Sequence, residues 1–390
     1  MALLREKDRK YTTIEDICCH VGDDYEEWMG AVNPPIFQTT LFAATEKQPQ
    51  EYVYTRVANP TTQCAERKIA ALEGADGCLC FGSGMGAITA AINHFVKANC
   101  HIIVVNTAYC DARRYITDYL AKKAGVTYTY VLGEDIAEIE AAIRPETTLI
   151  YLESPSSAIL RMQDLEAIAK LAKAHGIGTA IDNTYATPLY QNPLKWGIDI
   201  SIHTVSKYLC GHSAVVGGAL CAREEIIRSI QDNERSLLGS LLSPMDSYLL
   251  CMSLRTLPIR MAKHGENGMK IATFLENHPK VKQVFYPGSK TYPWKDLFDK
   301  YMTGTVGLLS VVPKGTAQEV QAFADHIDGF LRGCSWGSYE SIVSGKSIGM
   351  TEERAKAEGM VPNIVRMNIG TENVDGIIAH LDEALNKYIK

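Results

Sequence analysis

The chain has 390 residues, 46% apolar and 22% charged. That balance excludes a disordered, collagenous or coiled-coil chain and provides for two or three domains with real cores. Its 39 Lys and Arg stand against 45 Asp and Glu, a formal charge of −6, which argues against a nucleic-acid partner.

The first ~60 residues read as irregular: AVNPPIFQTT and YTRVANPTT are rich in Pro and Asn, a composition of extended and turn structure. The opening MALLREKDRKY is charged within five residues and has no apolar run for a secretion signal. No run anywhere approaches the ~20 apolar residues of a membrane span. A cytoplasmic protein with no membrane partner is therefore expected.

From about residue 62 the pattern becomes β-then-α, repeatedly. Helix TQCAERKIAALEGA leads to strand GCLCFG and helix GMGAITAAINHFV. Strand HIIVVN, helix ARRYITDYLAKKAG, strand VTYTYV, helix DIAEIEAAIR, strand TLIYLES and helix MQDLEAIAKLAKAHG follow. Strands GTAIDN, ISIHTV and VVGGALCA close the series. Short apolar strands alternating with amphipathic helices predict a mostly parallel sheet covered on both faces. After about 250 a long helical stretch, SPMDSYLLCMSLRTLPIRMAKHGENGMKIATFLENH, leads into a smaller α+β part with strands KQVFYP, GLLSVVP and IVRMNIG. The expected organisation is an N-terminal arm over 1–61, a large domain over 62–254 and a small C-terminal domain over 255–390.

The 11 cysteines are scattered, without a CxxC pair, which predicts reduced thiols serving as small buried hydrophobes. Cys78 and Cys80 alternate on one strand face with no His or Cys at ligand spacing, so no metal site is expected there.

In open α/β sheets ligands bind beyond the carboxyl ends of the strands. Four strand ends carry chemistry. After GCLCFG, Ser83-Gly84-Met85-Gly86 opens a helix whose free N–H groups suit a phosphate. A glycine-rich turn there is equally an ordinary connection. After HIIVVN stands Tyr109, a flat surface for a ring or a packed rim residue. GTAIDN ends in Asp182, a buried carboxylate in want of a partner or a turn-forming Asp. After ISIH, Thr204 and Ser206 point the same way along an extended chain, and Lys207 follows. Lysine at the end of a buried strand is uncommon. Together the four ends supply a phosphate cradle, a stacking face, an acid and an amine, the set that pyridoxal 5'-phosphate (PLP) needs.

On these residues, and on the landmarks GAVNPPIFQTTLF, SGMGAI, ESPSSAILRMQDLEAIAKLAKAHG, DNTYATPLYQNPL, TVSKYLCGHSAVVGG, SLRTLPIRMAKH, SWGSYES and IVRMNIGTENVD, the sequence resembles the PLP-dependent Cys/Met metabolism (transsulfuration) enzymes over almost its whole length. The resemblance implies the PLP-dependent transferase fold, aspartate aminotransferase-like and of fold type I. It makes Lys207 the Schiff-base lysine, Asp182 the partner of the pyridine nitrogen and Tyr109 the ring-stacking residue. Gly84 and Met85 N–H groups with Thr204 and Ser206 would bind the phosphate. Tyr54 and Arg56 would reach the neighbouring subunit's phosphate, Tyr54 counting with Tyr109 and Lys207 among the catalytic residues. Arg366, with Ser335 and Tyr109, would bind the amino-acid substrate, a guanidinium fork suiting its α-carboxylate. The implied assembly is a homo-oligomer, at least a dimer and expected as a tetramer.

Members acting at the γ-carbon carry Glu before the Ser of the S-L-G-G segment; here that place holds Cys334, and Trp336 replaces the Leu. In Trp336, in the aromatic Tyr339 before Glu340-Ser341, and in NTAY at 106–109, the chain is similar to the bacterial cystathionine β-lyase branch. The implied activity is a carbon–sulfur lyase releasing thiol, pyruvate and ammonia from cystathionine or related cysteine S-conjugates. A γ-enzyme (methionine or cystathionine γ-lyase, or homoserine-ester sulfhydrylase) and a non-catalytic PLP-fold binding protein are the alternatives. Cys110 to Arg114 and Ala214 depart from the family pattern at the substrate's far end, and Cys334 is smaller than the Tyr that often precedes SWGG in the β-lyases.

Overall fold

The computed structural model describes residues 3–45 and 52–390; the parts of the expected arm at 1–2 and 46–51 lie outside them. Its centre is a seven-stranded sheet in the order β1-β7-β6-β5-β4-β2-β3. The strands are β1 (Gly77–Phe81), β2 (His101–Val105), β3 (Thr127–Val131), β4 (Thr147–Glu153), β5 (Gly178–Asp182), β6 (Ile200–His203) and β7 (Gly218–Ala222). β3, β2, β4, β5 and β6 pair in parallel, and only β7 runs against its neighbours β6 and β1. Most of these strands are apolar along their full length because helices cover both faces. The edge strand β3 instead keeps Thr127, Tyr128 and Tyr130 toward solvent.

The N-terminal segment contains more structure than its composition predicts. Helix α1 (Ile14–His20), capped by Thr13, sits on α2 (Pro60–Glu73), and Ile17, Cys18, Val21 and Trp28 join the large core. The signal is one short apolar face, too brief for periodicity to reveal. Arg67 of α2 anchors this segment: its buried guanidinium donates to both Asp8 and Asp24. After β1 comes α3 (Gly84–Phe95), capped by Ser83. The stretch read as one helix after Tyr109 runs on through a π-helical turn at Tyr115–Leu120.

The long helical stretch after 243 divides at Arg255-Thr256 into Pro244–Leu254 and Leu257–Asn277, where Pro258 cannot continue a preceding helix. The second helix has Met261 in the large core and Ile271 and Leu275 in a separate smaller one. That smaller core lies on a five-stranded sheet, β10-β11-β12-β9-β8, built from β8 (Val281–Phe285), β9 (Leu308–Pro313), β10 (Leu331–Arg332), β11 (Ile342–Gly345) and β12 (Val365–Asn368). All 11 cysteines are free; eight are buried, and Cys19, Cys110 and Cys334 are exposed.

Candidate active site

The parallel strands end together, and the residues just past them meet the SWGS turn of the C-terminal part. Lys207 Nζ donates to Ser335 Oγ at 2.9 Å and stands 5.5 Å from the centre of the Trp336 ring. Burial holds the lysine below its ordinary range, the cationic Arg366 pushes the same way, and Asp182 opposes both. Gly337 makes the approach possible. Its φ is +86°, and a Cβ there would lie 2.9 Å from Tyr208 N and 3.0 Å from Lys207 Cβ. Asn368 on β12 fixes this turn by accepting the Gly337 N–H at 2.9 Å.

Asp182 ends β5 and is 5% exposed. Its Oδ1 accepts the Thr184 N–H at 3.0 Å and the Thr184 hydroxyl; Oδ2 accepts nothing among the described residues. Burial raises its carboxyl above the usual range, against the Thr184 bonds and the positive charge of Lys207. On the neighbouring strand Glu153 lies directly opposite Asp182 in the β4–β5 register. Two buried carboxylates side by side cannot both ionise freely. Burial first, and Asp182 second, push Glu153 up to about 8.

Glu153 also ties the site together. It accepts the Tyr109 N–H at 2.6 Å and the Ser157 N–H at 2.8 Å. The Ser157 carbonyl in turn accepts Arg366 Nη1 at 2.9 Å, while Cys334 O accepts Nη2 at 2.6 Å. Arg366 is buried and thereby lowered to about 10. The Tyr109 side chain is 42% exposed, with its hydroxyl on Asp111 at 3.1 Å. Burial of its hydroxyl and the Asp111 charge raise it to about 12. Sequence reasoning missed Glu153, although it ends the apolar run TLIYLE just as Asp182 ends GTAID.

At the phosphate end, Ser83 Oγ takes the Gly86 N–H at 3.0 Å; among the described residues nothing accepts the N–H groups of Gly84 and Met85. Thr204 crosses close to this helix start: a Cβ on Gly84 would stand 2.4 Å from Thr204 Oγ1. Ser206 Oγ accepts the Gly217 N–H at 2.9 Å. Lys207, Asp182, Tyr109, Thr204, Ser206, Gly84, Met85, Ser335 and Arg366 thus gather at the strand ends. Tyr54 and Arg56 make their contacts elsewhere among the described residues. Arg56 donates to the Ser236 carbonyl and lies 5.6 Å from the Tyr54 ring, and among the described residues neither bonds Gly84, Ser206 or Lys207.

A sheet of this order with a lysine, an acid and a helix start at its strand ends defines a cofactor-dependent enzyme of the α/β class. The chain belongs to the Cys/Met metabolism PLP-dependent enzyme family, whose profile matches residues 15–386. It is similar to cystathionine γ-lyase of Homo sapiens, 36% identical over 94% of this chain and 92% of that one. It is also similar to L-methionine γ-lyase of Treponema denticola (34%, 95% and 96%) and to cystathionine β-lyase of Lactococcus lactis subsp. cremoris (33%, 96% and 100%). The solved structure of metB from Corynebacterium glutamicum superposes with a TM-score of 0.90 at 34% identity, covering 97% of this chain and 98% of that one.

The cofactor is therefore PLP, and this chain's residues fit it. The unpaired N–H groups at Gly84 and Met85 are donors awaiting an anion at a helix start. The free Asp182 Oδ2 is a buried acceptor suited to a protonated ring nitrogen, and Lys207 is an amine held toward its neutral form. The protein is a PLP-dependent lyase of this family. Among the described residues no helix is long and apolar enough to cross a membrane.

Proposed function

We propose that the enzyme cleaves the Cβ–S bond of cystathionine or a related cysteine S-conjugate, consuming one water and giving a thiol, pyruvate and ammonia. Arg366 holds the substrate α-carboxylate, with its guanidinium kept in place by the Ser157 and Cys334 carbonyls. Lys207 Nζ takes the Cα proton, and Ser335 and Trp336 aim it. PLP, when bound, supplies the electron sink for the pair left at Cα. Asp182 would keep the ring nitrogen protonated, Tyr109 would lie against the ring, and Gly84, Met85, Thr204 and Ser206 would hold the phosphate.

The observation that carries β over γ is the exposed thiol of Cys334 beside Ser335, Lys207's partner. γ-Elimination needs a second proton removal, at Cβ, and a thiol cannot orient the lysine through an ionic hydrogen bond as a carboxylate would. A hundredfold preference asks for only about 2.7 kcal/mol between the two barriers. The names of the human and Treponema relatives favour the second reading, cleavage at Cγ. Product analysis with L-cystathionine separates the two. Pyruvate with homocysteine supports the proposal, and 2-oxobutyrate with cysteine refutes it. Cys334→Glu should raise the γ-product.

Tyr54 and Arg56 are assigned to the neighbouring subunit's phosphate, making the working unit at least a dimer and expected as a tetramer. The exposed Val32, Leu41, Leu237 and Leu238 support this. The expected arm over 1–61, large domain over 62–254 and small domain over 255–390 form the matching division of labour, in a cytoplasmic setting.

A further inference from the structure

Lys346 follows β11 directly. Its N–H bonds the Ile364 carbonyl at 2.9 Å, one step past the Gly345–Val365 pair, so the antiparallel ladder continues through it. Residues opposite each other in such a ladder share a face, and so do residues two apart. Ser344 is opposite Arg366, which places Lys346 on the face from which Arg366 reaches Ser157 and Cys334. The backbone beneath it is pinned: Ser347 Oγ accepts the Ile364 N–H at 2.9 Å and donates to the Val361 carbonyl at 2.6 Å.

The groups that act on the Lys346 charge are Arg366, Lys207, Cys334 and Cys110, all at the site. Among the described residues its ammonium has neither a hydrogen bond nor an ion pair, and the residue is only partly exposed. Burial, then Arg366, hold it down to about 8. A half-buried cation set beside a second cation, and without an ion pair of its own among the described residues, is costly unless an anion joins it.

We propose that Lys346 receives a carboxylate carried beyond the substrate sulfur, so that the preferred substrates are sulfur amino acids whose thiol portion is itself acidic. Arg366 and Lys346 then serve the two carboxylates of one molecule, one at each end. The inference rests on the sulfur amino-acid reading of the site above.

Two ligands of equal length test it: S-(2-carboxyethyl)-L-cysteine, and S-(3-methylbutyl)-L-cysteine, in which a dimethyl group replaces the carboxylate. Dissociation constants for the holoenzyme come from the change in cofactor absorbance on rapid mixing, which does not depend on which carbon–sulfur bond is later cut. The unaltered enzyme should bind the acidic ligand about tenfold tighter, a difference of about 1.4 kcal/mol. Lys346→Met should erase that difference with the neutral ligand held within twofold, and Lys346→Arg should retain it. If Lys346→Met weakens both ligands alike, or neither, or acts by dissociating the oligomer, the assignment is overturned. If neither ligand binds the unaltered enzyme, the sulfur amino-acid reading falls and takes this inference with it.

Discussion

Gly337→Ala probes the fit between the SWGS turn and Lys207. The substitution has two separable costs. At φ +86° any L side chain is strained, by about 1–2 kcal/mol. The added methyl also meets Tyr208 N at 2.9 Å and Lys207 Cβ at 3.0 Å, contacts that require the turn to retreat by some tenths of an ångström. Overpacking of that kind costs about 1–3 kcal/mol, giving a total of about 3 kcal/mol. Gly176→Ala isolates the first cost, since Gly176 has φ +67° and nothing within 4 Å of its Cβ position. Urea unfolding of both variants should show about 1 kcal/mol lost at Gly176 and roughly three times that at Gly337. The retreat at 337 also carries Ser335 away from its 2.9 Å bond to Lys207. kcat/KM should therefore fall ten- to a hundredfold in Gly337→Ala, about 1.4–2.7 kcal/mol of barrier, and stay unchanged in Gly176→Ala. Equal stability losses in the two variants, or a Gly337→Ala enzyme with unaltered kcat/KM, would refute the account of the turn as the element that positions the lysine.

Lys207→Ala should abolish turnover while the chain stays folded, and borohydride reduction of the unaltered enzyme should leave a pyridoxyl label on Lys207; a label on another lysine sinks the assignment. Mixing inactive Arg56→Ala with inactive Lys207→Ala subunits should restore part of the activity, because one shared site per hybrid is then intact; no recovery after verified exchange counts against sharing. In enzyme stripped of cofactor, Glu153 titrates at about 8 when folded, against an ordinary 4.5. Its contribution to stability is complete below 4.5 and is lost as pH rises to about 8. Urea midpoints of the stripped enzyme should therefore fall across that window more steeply than those of Glu153→Gln, whereas equal slopes would refute the shift.

The alternation of strands and helices, the parallel character of the large sheet and the four strand ends that hold the candidate site residues can all be read from the amino-acid order. Each of these is local: apolar runs of strand length, helical periodicity and a polar residue where the run stops. Asp182, Lys207 and the Gly84 turn were legible for that reason. What is set by pairing between distant segments becomes visible only in the folded chain. Glu153 differs from any other strand-ending glutamate only because β4 lies beside β5, which puts it opposite Asp182 and under Tyr109 and Ser157. The reversal of β7, the docking of α1 on α2 and the meeting of Ser335 and Trp336 with Lys207, 128 residues away along the chain, likewise have no local signature. Lys346 reads as one more surface lysine until the β11–β12 register sets it beside Arg366. Burial and charge act through space, so the sequence fixes which groups exist, and the packing decides which of them feel one another.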